Sequence, residues 1–172
     1  MNLDRNALRL NVGFIVNQNI GYVREIPLDF PVLNLDPDFV LTNISGTARI
    51  TRTPQGLLVQ VMMEASTTAE CVRCLTEYQQ HLAIDFTELY AFSRRTMTES
   101  GLLLPEDGHI DLAPLVRDEM LLQIPINTLC TPDCQGLCPV CGERLNGQPH
   151  THEQDDLDPR LAKLKELLDE KS

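Results

Sequence analysis

Six cysteines and two closely spaced histidines constrain this chain more than any other feature. Cys71 and Cys74 form one C-x-x-C, and Cys138 and Cys141 form a second within Cys-Pro-x-Cys-Gly. Cys130 and Cys134 stand just upstream of the second pair, and His150 and His152 follow it. Such a set serves metal binding, thiol redox chemistry or a disulfide framework. The opening stretch MNLDRNALRLNVGF contains an acid and no unbroken apolar core, so it does not read as a secretory signal. No apolar run approaches the roughly 20 residues that a membrane-spanning helix needs. The expected compartment is the cytoplasm, where thiols stay reduced. That expectation weighs against disulfides and towards metal or thiol chemistry.

A C-x-x-C turn lets two thiolates converge on one ion at about 2.3 Å each. Glycine after the second cysteine, as at Gly142, permits the tight backbone in which amides point at the sulfurs. A tetrahedral site needs four ligands, and each turn supplies two. His150 and His152, after the spacer GERLNGQP, would complete a site with Cys138 and Cys141. A solvated histidine pair beside EQDD is the other reading. Cys130 and Cys134 are then left to join Cys71 and Cys74 in an all-cysteine site, fastening the C-terminal part of the chain to the rest. Histidine beside cysteine favours Zn2+ over iron. One or two such closed sites would be structural, with no open position for substrate or water. A thioredoxin-like role would need the motif between strand and helix, whereas Cys71 and Cys74 fall between two expected strands.

The scaffold reads as α+β. Alternating patterns predict strands over 22–30, 46–53, 56–67 and 81–92, with Pro27 confining the first to an edge or ending it early. Pro54-Gln55 suits a hairpin connection, and residues 31–44 and 93–108 read as loops. Strands without intervening helices predict an antiparallel body, either a sheet or a small barrel. Within it one packed helix spans 111–124, with Asp111 as N-cap, Pro114 in the first turn and a stripe of Leu112, Leu115, Val116 and Leu122. Pro125 ends this helix. Residues 1–125 thus form the β-rich body. Residues 126–172 form a zinc-knuckle module closed by a helix that Asp158 caps and Pro159 begins. His81 and His109 read as an exposed strand residue and a loop residue.

Charge narrows the function classes. Of the net charge of −11, nearly all falls in residues 96–158, where only Arg117 and Arg144 are basic. That surface repels phosphate and suits a basic protein partner. Aromatic residues make up only 5% of the chain, and no basic patch interleaves with them, which argues against a stand-alone RNA reader. No Gly-rich phosphate loop, nucleophile elbow or distinct carboxylate pair is present, so an enzyme is not expected, and neither is a small-molecule substrate.

The ordered series ECVRCL, FTELYAF, HIDLAPLVRDEMLLQIPI, LCTPDCQGLCPVCGERLN and DPRLAKLKELL resembles the YceD-type family, the large ribosomal RNA subunit accumulation proteins of bacteria and plastids. In that family the second knuckle usually continues into Cys-x-Cys, and HTH stands in its place here. The resemblance implies a part in ribosome biogenesis, supporting maturation or accumulation of large-subunit (23S) RNA. Together with the charge pattern it points to a non-catalytic factor that binds a ribosomal protein or pre-large-subunit particle. The alternatives are a cytosolic thiol redox or metal-handling protein and, less well supplied with residues, an RNA hydrolase.

Overall fold

The structure, a computed structural model, describes residues 7–35 and 37–146. His150, His152 and the helix expected from Asp158 onward lie outside the described residues. The main body is a five-stranded antiparallel sheet of β2 (Val23–Pro27), β3 (Phe30–Leu35), β4 (Phe39–Arg52), β5 (Gly56–Glu70) and β6 (Glu77–Ala91). Its order is β2-β4-β5-β6, with β3 also on β4, so among the described residues it is an open sheet. A short ribbon pairs β1 (Arg9–Asn11) with β7 (His109–Asp111), and the helices are α1 (Gly13–Val16) and α2 (Ala113–Leu122).

The long hairpin β5–β6 is its backbone. Its register runs unbroken from Gly56↔Ala91 to Glu70↔Glu77. Odd residues of β5 (Leu57, Val59, Val61, Met63, Ala65) and even residues of β6 (Leu82, Ile84, Tyr90) are buried, as period-two alternation requires. Leu33 and Leu35 of β3, Ala48 and Ile50 of β4, and Leu112, Val116 and Met120 beside and within α2 belong to the same core. Each buried leucine, isoleucine, valine or methionine among them contributes about 1.5–3 kcal/mol by leaving water.

Several expectations need correction. Residues 31–44 are not a loop, since they hold most of β3 and the start of β4. Pro31 is tolerated because β3 pairs on one side only, with β4. A bulge between Thr42 and Ser45, with Asn43 at φ 52°, inserts an extra residue into β4. Burial therefore passes from Leu41 to Ile44 and then to Ala48 and Ile50, breaking the alternation at the point where β4 exchanges β3 for β2 as partner. His109 lies in β7 rather than in a loop. Asp111 closes β7 and is not the N-cap residue, which is Leu112. Its Oδ1 still accepts the Ala113 N–H at 2.9 Å. Leu122 is 77% exposed, and Met120 takes its place in the stripe at i+4 spacing from Val116.

Tyr90 supplies a spectroscopic check on this packing. Burial, then the negative charges of Asp111 and Glu88, push its phenol from 10.0 up to about 12. The stability that depends on its neutral form is full below pH 10.0 and is lost as the pH rises through about 12. Ultraviolet titration is expected to show a tyrosine ionising at about 12 that is absent in Tyr90→Phe.

Candidate metal centre

The β5–β6 hairpin does not end in an ordinary turn. Its tip is residues 71–76, and the first C-x-x-C is that tip. The Cys71 N–H donates to the Thr76 carbonyl (2.9 Å), and the Leu75 N–H donates to the Cys71 carbonyl (2.9 Å). Leu75 has φ 54°, a left-handed conformation that a leucine adopts at a cost. The second pair repeats this turn. The Cys138 N–H donates to the Glu143 carbonyl (2.7 Å), the Gly142 N–H to the Cys138 carbonyl (2.9 Å), and Gly142 has φ 76°. The Val140 N–H also points at Cys138 Sγ (3.4 Å). The two C-x-x-C segments are therefore the same backbone turn, which the sequence disguises by placing Leu75 where the other has Gly142. Replacing Leu75 by glycine removes the left-handed penalty and is expected to raise the unfolding free energy by up to about 1 kcal/mol, after glycine's own entropy is set against it. Denaturant titration checks this.

Cys130 and Cys134 arrive from the segment after α2. The Val72 N–H donates to the Thr128 carbonyl (2.9 Å), the Thr128 hydroxyl to the Glu70 carbonyl (2.5 Å), and Arg73 to the Cys134 carbonyl (2.8 Å). Gly136 has φ 83°, and a Cβ there would lie 3.1 Å from the Arg73 carbonyl oxygen, so only glycine fits both the conformation and the approach. Asn146 completes the frame, accepting the Gln135 N–H (2.7 Å) and donating to Cys134 Sγ (3.3 Å).

The result is four sulfurs, of Cys71, Cys74, Cys130 and Cys134, all within 4.8 Å of one another. Cys71 and Cys134 are 3.7 Å apart and Cys74 and Cys130 are 3.6 Å apart. These separations are too long for a disulfide, and all four are free thiols. They fit a tetrahedral ion, whose thiolates at about 2.3 Å lie about 3.8 Å from each other. Cys71, Cys74 and Cys134 are buried, with Tyr78, Leu129 and Leu137 packed around the set.

The electrostatics fit a cation equally. Burial pushes Cys71 up, but the backbone N–H groups of Cys130, Cys74 and Arg73 outweigh it and hold the thiol at about 6. Cys74 is lowered, chiefly by the Thr76 hydroxyl. Cys130 is pushed up to about 12, by burial and then by its hydrogen bonds with the neighbouring sulfurs. The pocket thus stabilises some thiolates and opposes the next. A divalent cation at the centre resolves that conflict, because it makes every ligand's anionic form favourable.

Cys138 is buried and Cys141 exposed, each in the second turn. They do not join the four-sulfur set, and their expected partners His150 and His152 lie outside the described residues. His81 is an exposed residue of β6, with Glu64 3.9 Å away, and takes no part in the set. Neither the left-handed Leu75 nor Asn146, whose amide donates to a cysteine sulfur, stands out by residue type.

The family model described as large ribosomal RNA subunit accumulation protein YceD matches residues 59–168. An uncharacterized protein of Mycobacterium tuberculosis is 38% identical over 125 residues, which is 70% of this chain and 59% of its own. The Bacillus subtilis protein YlbN is 30% identical over 100 residues, covering 57% of this chain and 58% of its own. A Zea mays protein named as a chloroplastic homolog of the large ribosomal RNA subunit accumulation protein is 42% identical over 40 residues, 23% of this chain and 14% of its own. The chain thus spans less than two thirds of these relatives' lengths. No solved structure matches it.

Proposed function

The chain belongs to the YceD family of large ribosomal RNA subunit accumulation proteins, and from that premise we propose that it is a non-catalytic ribosome-biogenesis factor held together by structural zinc. The observation that carries the reading is the four-thiol cluster joining the β5–β6 tip to the segment that follows α2. Cys71, Cys74, Cys130 and Cys134 hold one Zn2+, which supplies a cross-link between distant parts of the chain rather than a reactive centre. Cys138 and Cys141, in the same turn, hold a second ion with His150 and His152. The factor supports maturation or accumulation of large-subunit (23S) RNA by binding a ribosomal protein or pre-large-subunit particle in the cytoplasm. The net charge of −11 favours a basic protein over bare RNA as the direct partner. Among the described residues no helix is long and apolar enough to cross a membrane.

The depressed Cys71 thiol is the one observation on the side of redox chemistry. Reactive thiols are partly exposed, however, and Cys71 is buried, so its amides are better used to hold a metal-bound thiolate. The test is recovery of the tagged protein from cells. Large-subunit ribosomal proteins are expected to accompany it, and the pure protein is expected to leave RNA intact. RNA cleavage by the pure protein removes the adaptor reading.

A further inference from the structure

Strand β6 is an edge without a bulge, a proline, a lysine or an arginine, and the charges it carries, Glu77, Asp85 and Glu88, are all acidic. It pairs with β5 on one side without a bulge over its whole length. Its sequence, EYQQHLAIDFTELYA, contains no proline, lysine or arginine. Protected edges are normally short, twisted by bulges, or armed with lysine or proline. Ala91 fixes which backbone groups face outwards: its N–H donates to the Leu102 carbonyl (3.0 Å) and its carbonyl accepts the Leu104 N–H (2.9 Å). By the two-residue repeat, the N–H and C=O groups of the odd residues from Glu77 to Leu89 also point away from β5. Among the described residues no other backbone pairs with them, and only the His81 carbonyl is taken, by the Gln80 side-chain amide (2.9 Å).

The exposed side of this edge is acidic. On the sheet face beside it, a depression running across β4, β5 and β6 is lined by Asp29, Glu64 and Asp85 together with Gly46, Met62 and Ala83, and no lysine or arginine lines it. Asp85 and Ala83 lie on β6 itself, directly opposite Met62 and Glu64 of β5.

We propose that the outer edge of β6 is the docking site for an extended segment of a basic protein, which adds to the sheet as a further strand. Main-chain bonds to Ala83, Asp85 and Thr87 give affinity, as in other strand-addition complexes. Lysine or arginine at alternate positions of the added segment lays its stem over Met62 and Ala83 and its charge beside Glu64 and Asp85. Net charge selects this occupant over a second copy, since two chains of −11 repel. The inference rests on the protein-partner reading given above and names the element that engages the partner.

The test uses the full zinc-loaded chain and the mixed proteins released by salt from purified large ribosomal subunits. Hydrogen exchange is expected to show the Ala83, Asp85 and Thr87 amides exchanging freely in the isolated chain and protected in the complex. Ala83→Pro, which removes one outward donor, and Asp85→Lys, which leaves the backbone intact and reverses a charge, are each expected to weaken binding by about three- to tenfold. Asp85→Lys keeps the test decisive if the proline variant fails to fold. Binding that leaves those amides unprotected and both variants unaffected overturns the edge assignment while leaving the partner reading intact. Protection that appears without added protein, together with a doubled mass, overturns it in favour of self-pairing. No binding by the unaltered chain removes both.

Discussion

Cys134→Ser protein is expected to lose one metal ion, zinc in the reading proposed above, and with it the grip of residues 128–146 on the β5–β6 tip. Apart from the contacts made by the four sulfurs themselves, the direct bonds described across that junction are Val72 to Thr128, Thr128 to Glu70, and Arg73 to Cys134. Each is worth about 0.5–1.5 kcal/mol net. Structural zinc binds zinc-finger peptides with on the order of 10–16 kcal/mol at neutral pH, so an ion held by the four thiolates would outweigh those bonds. Limited proteolysis is expected to cut the variant between Ile126 and Leu137 while the unaltered protein resists. Arg73→Ala, which removes only the bond to the Cys134 carbonyl, is expected to cost about 1 kcal/mol and to leave the segment resistant. Chelation reproduces the serine variant. So does acid, because protons compete with the metal for the thiolates, and retention is lost as the pH falls.

The largest effect away from the metal is expected at Met120. Its side chain is fully buried, with Leu112 and Val116, against the sheet. Met120→Ala is expected to lower the unfolding free energy by about 2–5 kcal/mol, the usual range for a large apolar side chain truncated in a core. Leu122→Ala, two residues on and 77% exposed, is expected to change it by no more than about 0.5 kcal/mol. Equilibrium denaturation of the pair measures which face of α2 is anchored. Equal losses would mean that the helix is rotated from the position described here.

Period-two alternation made β5 and β6 legible, and the pairing of Cys71 and Cys74 with Cys130 and Cys134 followed from counting ligands. The alternation is readable because its pattern is local; the count brought the same four cysteines together, although its other half, His150 and His152, lies outside the described residues. What escaped was non-local. The bulge at Thr42–Ser45 breaks the alternation in the first half of β4, and the turn-like LDPD at 35–38 makes the end of β3 read as loop. Met120 and Leu122 are both apolar, and only the phase of the helix against the sheet separates them. The second turn was legible from Gly142, whereas its twin was concealed by a leucine held at φ 54°. The small ribbon of β1 and β7, with only three residues in each strand, carries too short a pattern to be read in advance.

The most direct test is the zinc content of the protein purified without chelator, compared between the unaltered chain and Cys71→Ser. The account predicts that the serine variant holds one zinc per chain fewer, and that the four clustered thiols resist alkylation until the metal is removed. Equal zinc in the two proteins, or a metal-free chain whose Cys71 and Cys74 oxidise readily, would contradict it.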